Sequence, residues 1–346
     1  MATCMTIFTR RAVALVAAAL LAAPSLVHAQ TPKPLADLAE AAAKKPPVIW
    51  TESSEVAAAQ KIIAAFNQRF PAIKVEYIRD TGGNTLAAKV IQQAQSGGAP
   101  AAILTGDQGQ FVELDKRGLL RKPDWAALGV ARELIGSPYL VSTAAALGMM
   151  VWNKAKVADA DAPKSVEALT EPKWKGKAGS WIRAPHYTQL GKVMGADKIR
   201  DLVTRIAGNE ARMYDSTYRI GQELATGEID VGYSFWHTTQ PAIAAGAPIG
   251  YAFVEPISVS TIFSTVVEKS ANPEGGVVLA VWLATKEGAD AYEGATGRGN
   301  PYVKGTKSAE LAAGKQLSEY PLSELDTYVK LLAELNKILS ARGGAK

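Results

Sequence analysis

Residues 233–241 read Tyr-Ser-Phe-Trp-His-Thr-Thr-Gln-Pro, and four rings, Tyr233, Phe235, Trp236 and His237, fall within five positions. Such a run can be a catalytic site, a metal site, a wall for a ligand, or the end of a core strand. Its companions decide between these. After residue 29 the chain has no cysteine and only two histidines, His186 and His237. Thiolate nucleophiles, thiolate metal sites and disulfides are therefore excluded from that portion. No G-x-S-x-G elbow, H-E-x-x-H pair or P-loop occurs. The expectation is a protein without catalytic residues, metal site or cofactor. Alternation puts Tyr233 and Phe235 on one strand face, in a core, and leaves Trp236 and His237 at the strand's end as a ligand wall.

Other segments carry the polar groups that a ligand would need. In WTESSEV, Ser53 and Ser54 leave a strand and enter a helix. Their hydroxyls and the following amides can hold an anion or simply cap the helix. In RDTGGNT, Gly82 and Gly83 precede another helix and let backbone approach a ligand closely. Arg79 beside them can fork onto a carboxylate or phosphate, or end a strand in solvent. Thr105 and Asp107 face the same side in LTGDQGQ, with Asp107 suited to capping. In SWIRAPHYTQL, Arg183 follows a strand while His186, Tyr187 and Thr188 start a helix. A cation beside a helix N-terminus suits an anion by charge and geometry, and an ion pair is the alternative. MYDSTYRIGQ offers Tyr214 and Tyr218, which can bond an oxyanion, stack on a ring or pack with one polar tip in water. The G-x-G of GRGNP follows a helix rather than a strand, so it reads as turn chemistry.

The elements that must position these residues alternate. PPVIW (46–50) runs into a first strand. A helix follows with Val56, Ala59, Ile63, Phe66 and Phe70 at helical spacing, capped by Ser53 or Ser54 and ended by Pro71. IKVEYI, PAAILTG and AALGMMVWN read as strands, and helical segments separate the first three. Short loops between strand and helix point to a mostly parallel sheet. Residues 260–303 read as strand, turn and one long helix. The C-terminal segment is an amphipathic helix with Leu331, Leu332, Leu335 and Ile338 on one stripe, ending at Gly343.

The chain has 346 residues, with 38 Lys and Arg against 33 Asp and Glu. Arg10 and Arg11 precede a short apolar run and the small-residue site Val27-His28-Ala29, which reads as a secretory signal peptide cleaved near Ala29. Residues 30–46 read as a linker. Without the leader the formal charge falls from +5 to +3, which implies no nucleic-acid partner. The remaining length suggests about two domains.

These segments, in this order, resemble the extracellular solute-binding proteins of ABC importers. They include the Ser-rich helix start, QSGGAP, ELDKRGLL, GMMVWNKAKV, APKSVEALTEPKWKGKAG, IGQELATGEIDVGY and SANPEGGVVLAVWLATKEGADAY, across about residues 47–305. The resemblance implies an α/β fold, a type II periplasmic-binding-protein clamp of two lobes. Each lobe would be a mostly parallel sheet flanked by helices, with two crossover strands as hinge. Lobe 1 would hold 47–147 and 256–346, and lobe 2 would hold 148–255. Ligands in such folds sit at strand C-termini and helix N-termini. A periplasmic monomer is expected, taking a small-molecule solute to an ABC permease at the inner membrane. The ligand set drawn from the residues is Ser53, Ser54, Gly82, Gly83, Thr105, Arg183, His186, Tyr187, Tyr214, Tyr218, Trp236 and His237. Ferric-binding relatives carry two adjacent tyrosines where Trp236-His237 stands here, so a small organic anion, possibly carrying a ring, is the preferred solute. Ferric iron, a polyamine bound through carboxylates drawn from Glu52, Asp80, Asp107, Asp215 and Glu255, or a degenerate cleft serving a receptor are the alternatives.

Overall fold

The computed structural model describes Met1 and residues 32–80 and 85–343. Beyond Met1, the segment expected to be a signal peptide lies outside the described residues, as does the Gly82–Gly83 turn. The first half of the fold starts from three parallel strands. β1 (Val48–Glu52) lies between β2 (Val75–Arg79) and β3 (Ile103–Gly106). β10 (Ile257–Val266) runs antiparallel beside β3 and joins it to β5 (Leu140–Asn153). β5 is buried at all 14 positions, as a strand covered on both faces must be.

β5 ties the two halves together. Its N-terminal part pairs with β10 and with β4 (Ile135–Ser137). Its C-terminal part pairs with β8 (Val231–Phe235) and β9 (Ile249–Ala252). Beyond β8 the sheet continues in parallel through β6 (Ala178–Trp181) to β7 (Arg212–Tyr214). β11 (Leu317–Ser318) adds to the start of β10. Gly148 sits where β5 changes partners. A Cβ there would lie 2.2 Å from Ser258 Oγ and 2.4 Å from the Tyr233 hydroxyl. The bare backbone leaves room for the Tyr233–Ser258 hydrogen bond of 2.9 Å that crosses the junction.

Helices cover both faces of each half, giving the α/β two-lobed clamp. On one face of the first, α1 (Lys33–Ala42), α2 (Val56–Arg69), α9 (Pro273–Leu283) and α10 (Lys286–Thr296) pack around Trp50, Phe66, Trp282 and Tyr292. On the other, α3 (Thr85–Gln95) and α4 (Val112–Lys116) meet Leu104, Leu140 and Phe263. In the second half, α5 (Pro185–Met194) and α6 (Ala196–Gly208) take one face. α7 (Thr217–Thr226), α8 (Trp236–Ala244) and the end of α11 (Lys307–Ala312) take the other.

Four expectations change. The stretch read as linker contains α1, which buries Leu35 and Ala42. Asn272 Nδ2 donates to the Ala42 and Pro46 carbonyls at 3.0 and 2.8 Å, so a distant side chain closes this helix. The long helix after β10 is two helices, because Thr285 starts α10 by accepting from the Gly288 amide. Neither serine caps α2: Glu55 occupies that position without a side-chain bond, Val56 is exposed, and Ala59, Ile62, Ile63 and Phe66 form the buried face. The last helix, α12 (Leu325–Gly343), is expected in the first lobe. Its Tyr328, Leu331, Leu335 and Leu339 instead pack with Ile199, Leu202, Val203 and Ile206 of α6. Each fully buried leucine is worth about 1.5–3 kcal/mol, so α12 is firmly part of the second half.

Candidate functional site

Two contiguous cavities, of about 950 and 450 Å³, open where strand ends of one half face helix starts of the other. Ser53, Tyr218, His237 and Arg298 line both. Volumes in this range suit small-molecule sites.

The wall from the first half is built on a buried carboxylate. Glu52 ends β1 and is 2% exposed. Its oxygens accept from the Ser54 amide and hydroxyl, each at 2.9 Å, and from the Tyr77 and Tyr292 hydroxyls at 3.1 and 3.0 Å. These donors fill most of the lone-pair sites a carboxylate offers. Burial first, then the Glu52 charge, raises the pKa of both tyrosines and keeps them as donors. Arg298 approaches the same carboxylate with Nη1 at 3.4 Å. Burial lowers its pKa, but Tyr292 and Glu52 more than offset this and the cation is held firmly. A guanidinium has five N–H donors, and Glu52 already has four closer ones. Arg298 therefore balances the buried charge while presenting donors to the cavities.

The backbone carrying Arg298 is constrained by glycine. Gly297 ends α10 in the left-handed region, φ 72°, and a Cβ on it would sit 3.1 Å from the His237 Cα. The first half thus touches α8 of the second through a residue without a side chain. Arg79 also lines the larger cavity, with its charge paired to Glu55 at 2.6 Å.

The second half supplies rings. Phe235 ends β8, and Trp236 and His237 form the first turn of α8. Trp236 lines the larger cavity and leans on Tyr251, with ring centroids 5.1 Å apart. Trp181 and Phe235 line the smaller one. His237 is 7% exposed, and burial first, then the Arg298 charge, holds its pKa well below the usual histidine range. It stands at the junction as a neutral imidazole.

The residues singled out from sequence divide sharply. Ser53, Tyr218, Trp236 and His237 come together at the cavities. Ser54 lines the larger cavity, but its hydroxyl is turned inward to Glu52. Thr105 lines the smaller, with its hydroxyl held by Trp50 Nε1 at 2.9 Å and Ser264 at 2.7 Å. Asp107 lines the same cavity and accepts from the Gly109 amide, the capping role its position suggested. Gly82 and Gly83 lie outside the described residues.

Four expected residues are not at the cavities. Tyr187 is fully buried beside Ser180, and Tyr214 is buried under the Arg219 guanidinium. His186 lies among Trp181, Tyr187, Tyr233 and Phe235, and burial alone lowers its pKa to about 3. Arg183 is exposed and rests over the Trp181 ring at 5.9 Å. Arg183 lines neither cavity, and the Ala184 amide next to it donates to Asn336 of α12 at 2.8 Å. Arg298 is the residue that sequence reasoning missed. Its signal was an arginine between two glycines just past a helix end, read there as a turn.

Among the described residues no group of three or more His, Cys, Asp or Glu is placed to hold a metal ion, and no helix is long and apolar enough to cross a membrane.

The model of the bacterial extracellular solute-binding protein family matches residues 61–321. No curated protein matches the chain. Iron-bound HitA from Pseudomonas aeruginosa is similar in structure, with TM-score 0.66 and 20% identity over 86% of this chain and 100% of that one. The periplasmic binding protein AfuA from Actinobacillus pleuropneumoniae, with fructose-6-phosphate bound, gives TM-score 0.65 and 16% identity over 85% of this chain and 98% of that one. AgtB from A. tumefaciens R10, in complex with agropinic acid, gives TM-score 0.60 and 17% identity over 85% and 98%. At these identities the likeness concerns the fold.

Proposed function

The chain belongs to the bacterial extracellular solute-binding protein family, and from that premise we propose that it captures a small organic anion, a carboxylate or phosphonate, between its two lobes. The observation that carries this reading is Arg298, a cation fixed against buried Glu52 and lining both cavities. Glu52 does the positioning, and the guanidinium fork suits a planar or tetrahedral oxyanion. Trp236 and Tyr218 supply apolar walls for the rest of the solute, and neutral His237 adds none of the charge repulsion that an imidazolium would bring to Arg298. Two of the neighbours described above carry organic acids, a sugar phosphate and agropinic acid, which supports the class of solute.

In this reading residues 47–147 and 256–312 with α1 form lobe 1, and residues 148–255 with α12 form lobe 2. β5, the segment between β9 and β10, and the run through β11 to α12 connect them, and closure about these connections traps the solute. The protein acts as a monomer in the periplasm after removal of a leader near Ala29, and it hands the solute to an ABC permease. A thermal-shift panel of carboxylates, phosphonates, sugar phosphates, diamines and ferric iron tests the proposal. Stabilisation by organic acids, lost in Arg298→Gln, is the expected result. Stabilisation by diamines alone, or a coloured phenolate complex with ferric iron, would overturn it.

A further inference from the structure

The two cavities differ in charge, and the difference narrows the solute class within the reading just given. The smaller cavity is acidic. Glu52, Asp80, Asp107 and Asp215 line it, against Arg298 as the one cation among its described lining residues. Glu52 is bonded to its own donors and faces Arg298, and Asp80 pairs with Lys89 at 2.5 Å. Asp107 and Asp215 have no Lys or Arg at ion-pair distance among the described residues. Asp107 has one bonded partner, the Gly109 amide. Asp107 is exposed to the cavity, where partial desolvation raises its pKa.

The same cavity has aromatic walls, Trp181, Tyr218 and Phe235. Ring faces beside carboxylates are the surroundings that recognise an ammonium group. Trp181 already holds the Arg183 cation 5.9 Å over its ring. Unsatisfied polar atoms point the same way. His237, more than nine-tenths buried at the junction of the cavities, has Nδ1 without a hydrogen-bond partner among the described residues. Ser260, on the wall of the smaller cavity, has its Oγ in the same condition. Buried polar groups are nearly always partnered, so such atoms at a cavity mark a place for a bound group.

We propose that the solute is a zwitterion, an amino-carboxylate or amino-phosphonate, whose acid group binds Arg298 and whose ammonium group occupies the smaller cavity with Asp107, Asp215 and the Trp181–Phe235 wall. This rests on the organic-anion reading and adds a second, oppositely charged anchor to it.

Calorimetric titration of the mature protein tests it with paired probes. The first set is 4-aminobutyrate, 5-aminovalerate and 6-aminohexanoate. The second set is their N-acetyl forms, which keep the acid and lose the ammonium. 1,5-Diaminopentane is the third probe. The best amino acid should bind at least ~10-fold more tightly than its N-acetyl form, a difference of ~1.4 kcal/mol. In Asp107→Asn with Asp215→Asn that ratio should fall to near one. Asparagine caps a helix start as well as aspartate does, so folding is not at stake at Asp107. Arg298→Gln should weaken the amino and N-acetyl acids alike. N-acetyl forms that bind as tightly as the amino acids, or a ratio that survives the double substitution, would overturn the zwitterion and leave the anion reading standing. Binding of the diamine alone would overturn both. Binding of none of the probes would overturn the amino-acid class.

Discussion

Arg183 and Arg298 stand beside helix ends in the two halves of the molecule, and only Arg298 reaches a cavity. Arg183 follows β6 just before α5, a place where the helix dipole favours anions. Yet it lies in solvent over Trp181, and Asn336 already binds the Ala184 amide there. Arg298 follows the C-terminal end of α10, where a dipole argument predicts no anion site. What fixes it is Glu52, whose own burial is offset by two backbone or hydroxyl bonds from Ser54 and two tyrosine hydroxyls. A cation becomes part of a site when a buried, satisfied counter-charge holds it with donors to spare. Proximity to a helix terminus does not achieve this if the terminal amide is taken.

The largest test of that contrast is Arg298→Ala. It should reduce solute affinity by ~100-fold or more and lower stability as well, because removing one partner of a buried pair costs about 3–5 kcal/mol. Arg298→Lys separates the two effects. It keeps the charge and loses the planar fork, so stability should largely return while affinity stays low. Titration calorimetry and urea melts read the two quantities. Full affinity in Arg298→Ala would erase the distinction between the arginines.

The two histidines repeat the comparison one step down in size. Both begin helices that follow strands of the second half, α5 and α8, and both are neutral. His186 lines neither of the two cavities and has no hydrogen-bond partner for either ring nitrogen among the described residues. With a folded pKa of about 3 against ~6.5 unfolded, only the unfolded chain takes up this proton between those values. Stability is therefore lost as pH falls below ~6.5, by ~1.4 kcal/mol per pH unit, or ~2 kcal/mol at pH 5. His186→Phe should remove that share of the acid sensitivity while costing little at pH 7, since no hydrogen bond is given up. Urea melts at pH 7 and pH 5 check it. An unchanged pH dependence in the variant would mean that His186 is not the buried neutral ring described. Next in size is Trp236→Ala, expected to weaken the solute by ~10-fold with little change in stability, as loss of one aromatic wall implies.

The alternating elements, the continuous apolar run of β5 and the amphipathic stripe of α12 were all legible in sequence, because periodicity reports burial directly. The place of Trp236 and His237 just past the end of β8 was legible too, and there Trp236 lines the larger cavity and buried His237 lines both. What was not legible depends on remote partners. Nothing local to residues 33–42 says that Asn272 will close that helix, and nothing local to Ala184 says that Asn336 will. The packing of α12 on α6 was hidden for the same reason: its stripe shows that it packs, not on which half. Arg298 was hidden differently, since its role comes from Glu52, distant in sequence, and from Gly297, which lets the loop meet His237.

The smallest expected effect belongs to Arg183→Ala, and it sharpens the contrast most economically. Arg183 is exposed, has no acidic partner among the described residues and touches one ring face. An exposed cation–π contact is worth ~0.5–1 kcal/mol. Stability should fall by no more than that, and solute affinity should stay within about twofold, because the residue lines neither cavity. Asn336→Ala, made in parallel, frees the Ala184 amide that Asn336 now holds. If Arg183 then began to matter for anion binding, the amide contact would be what keeps Arg183 from acting as an anion anchor. If Arg183→Ala alone cost ~100-fold in affinity, the solute would be anchored from α5 after all, and the assignment to Arg298 would fall.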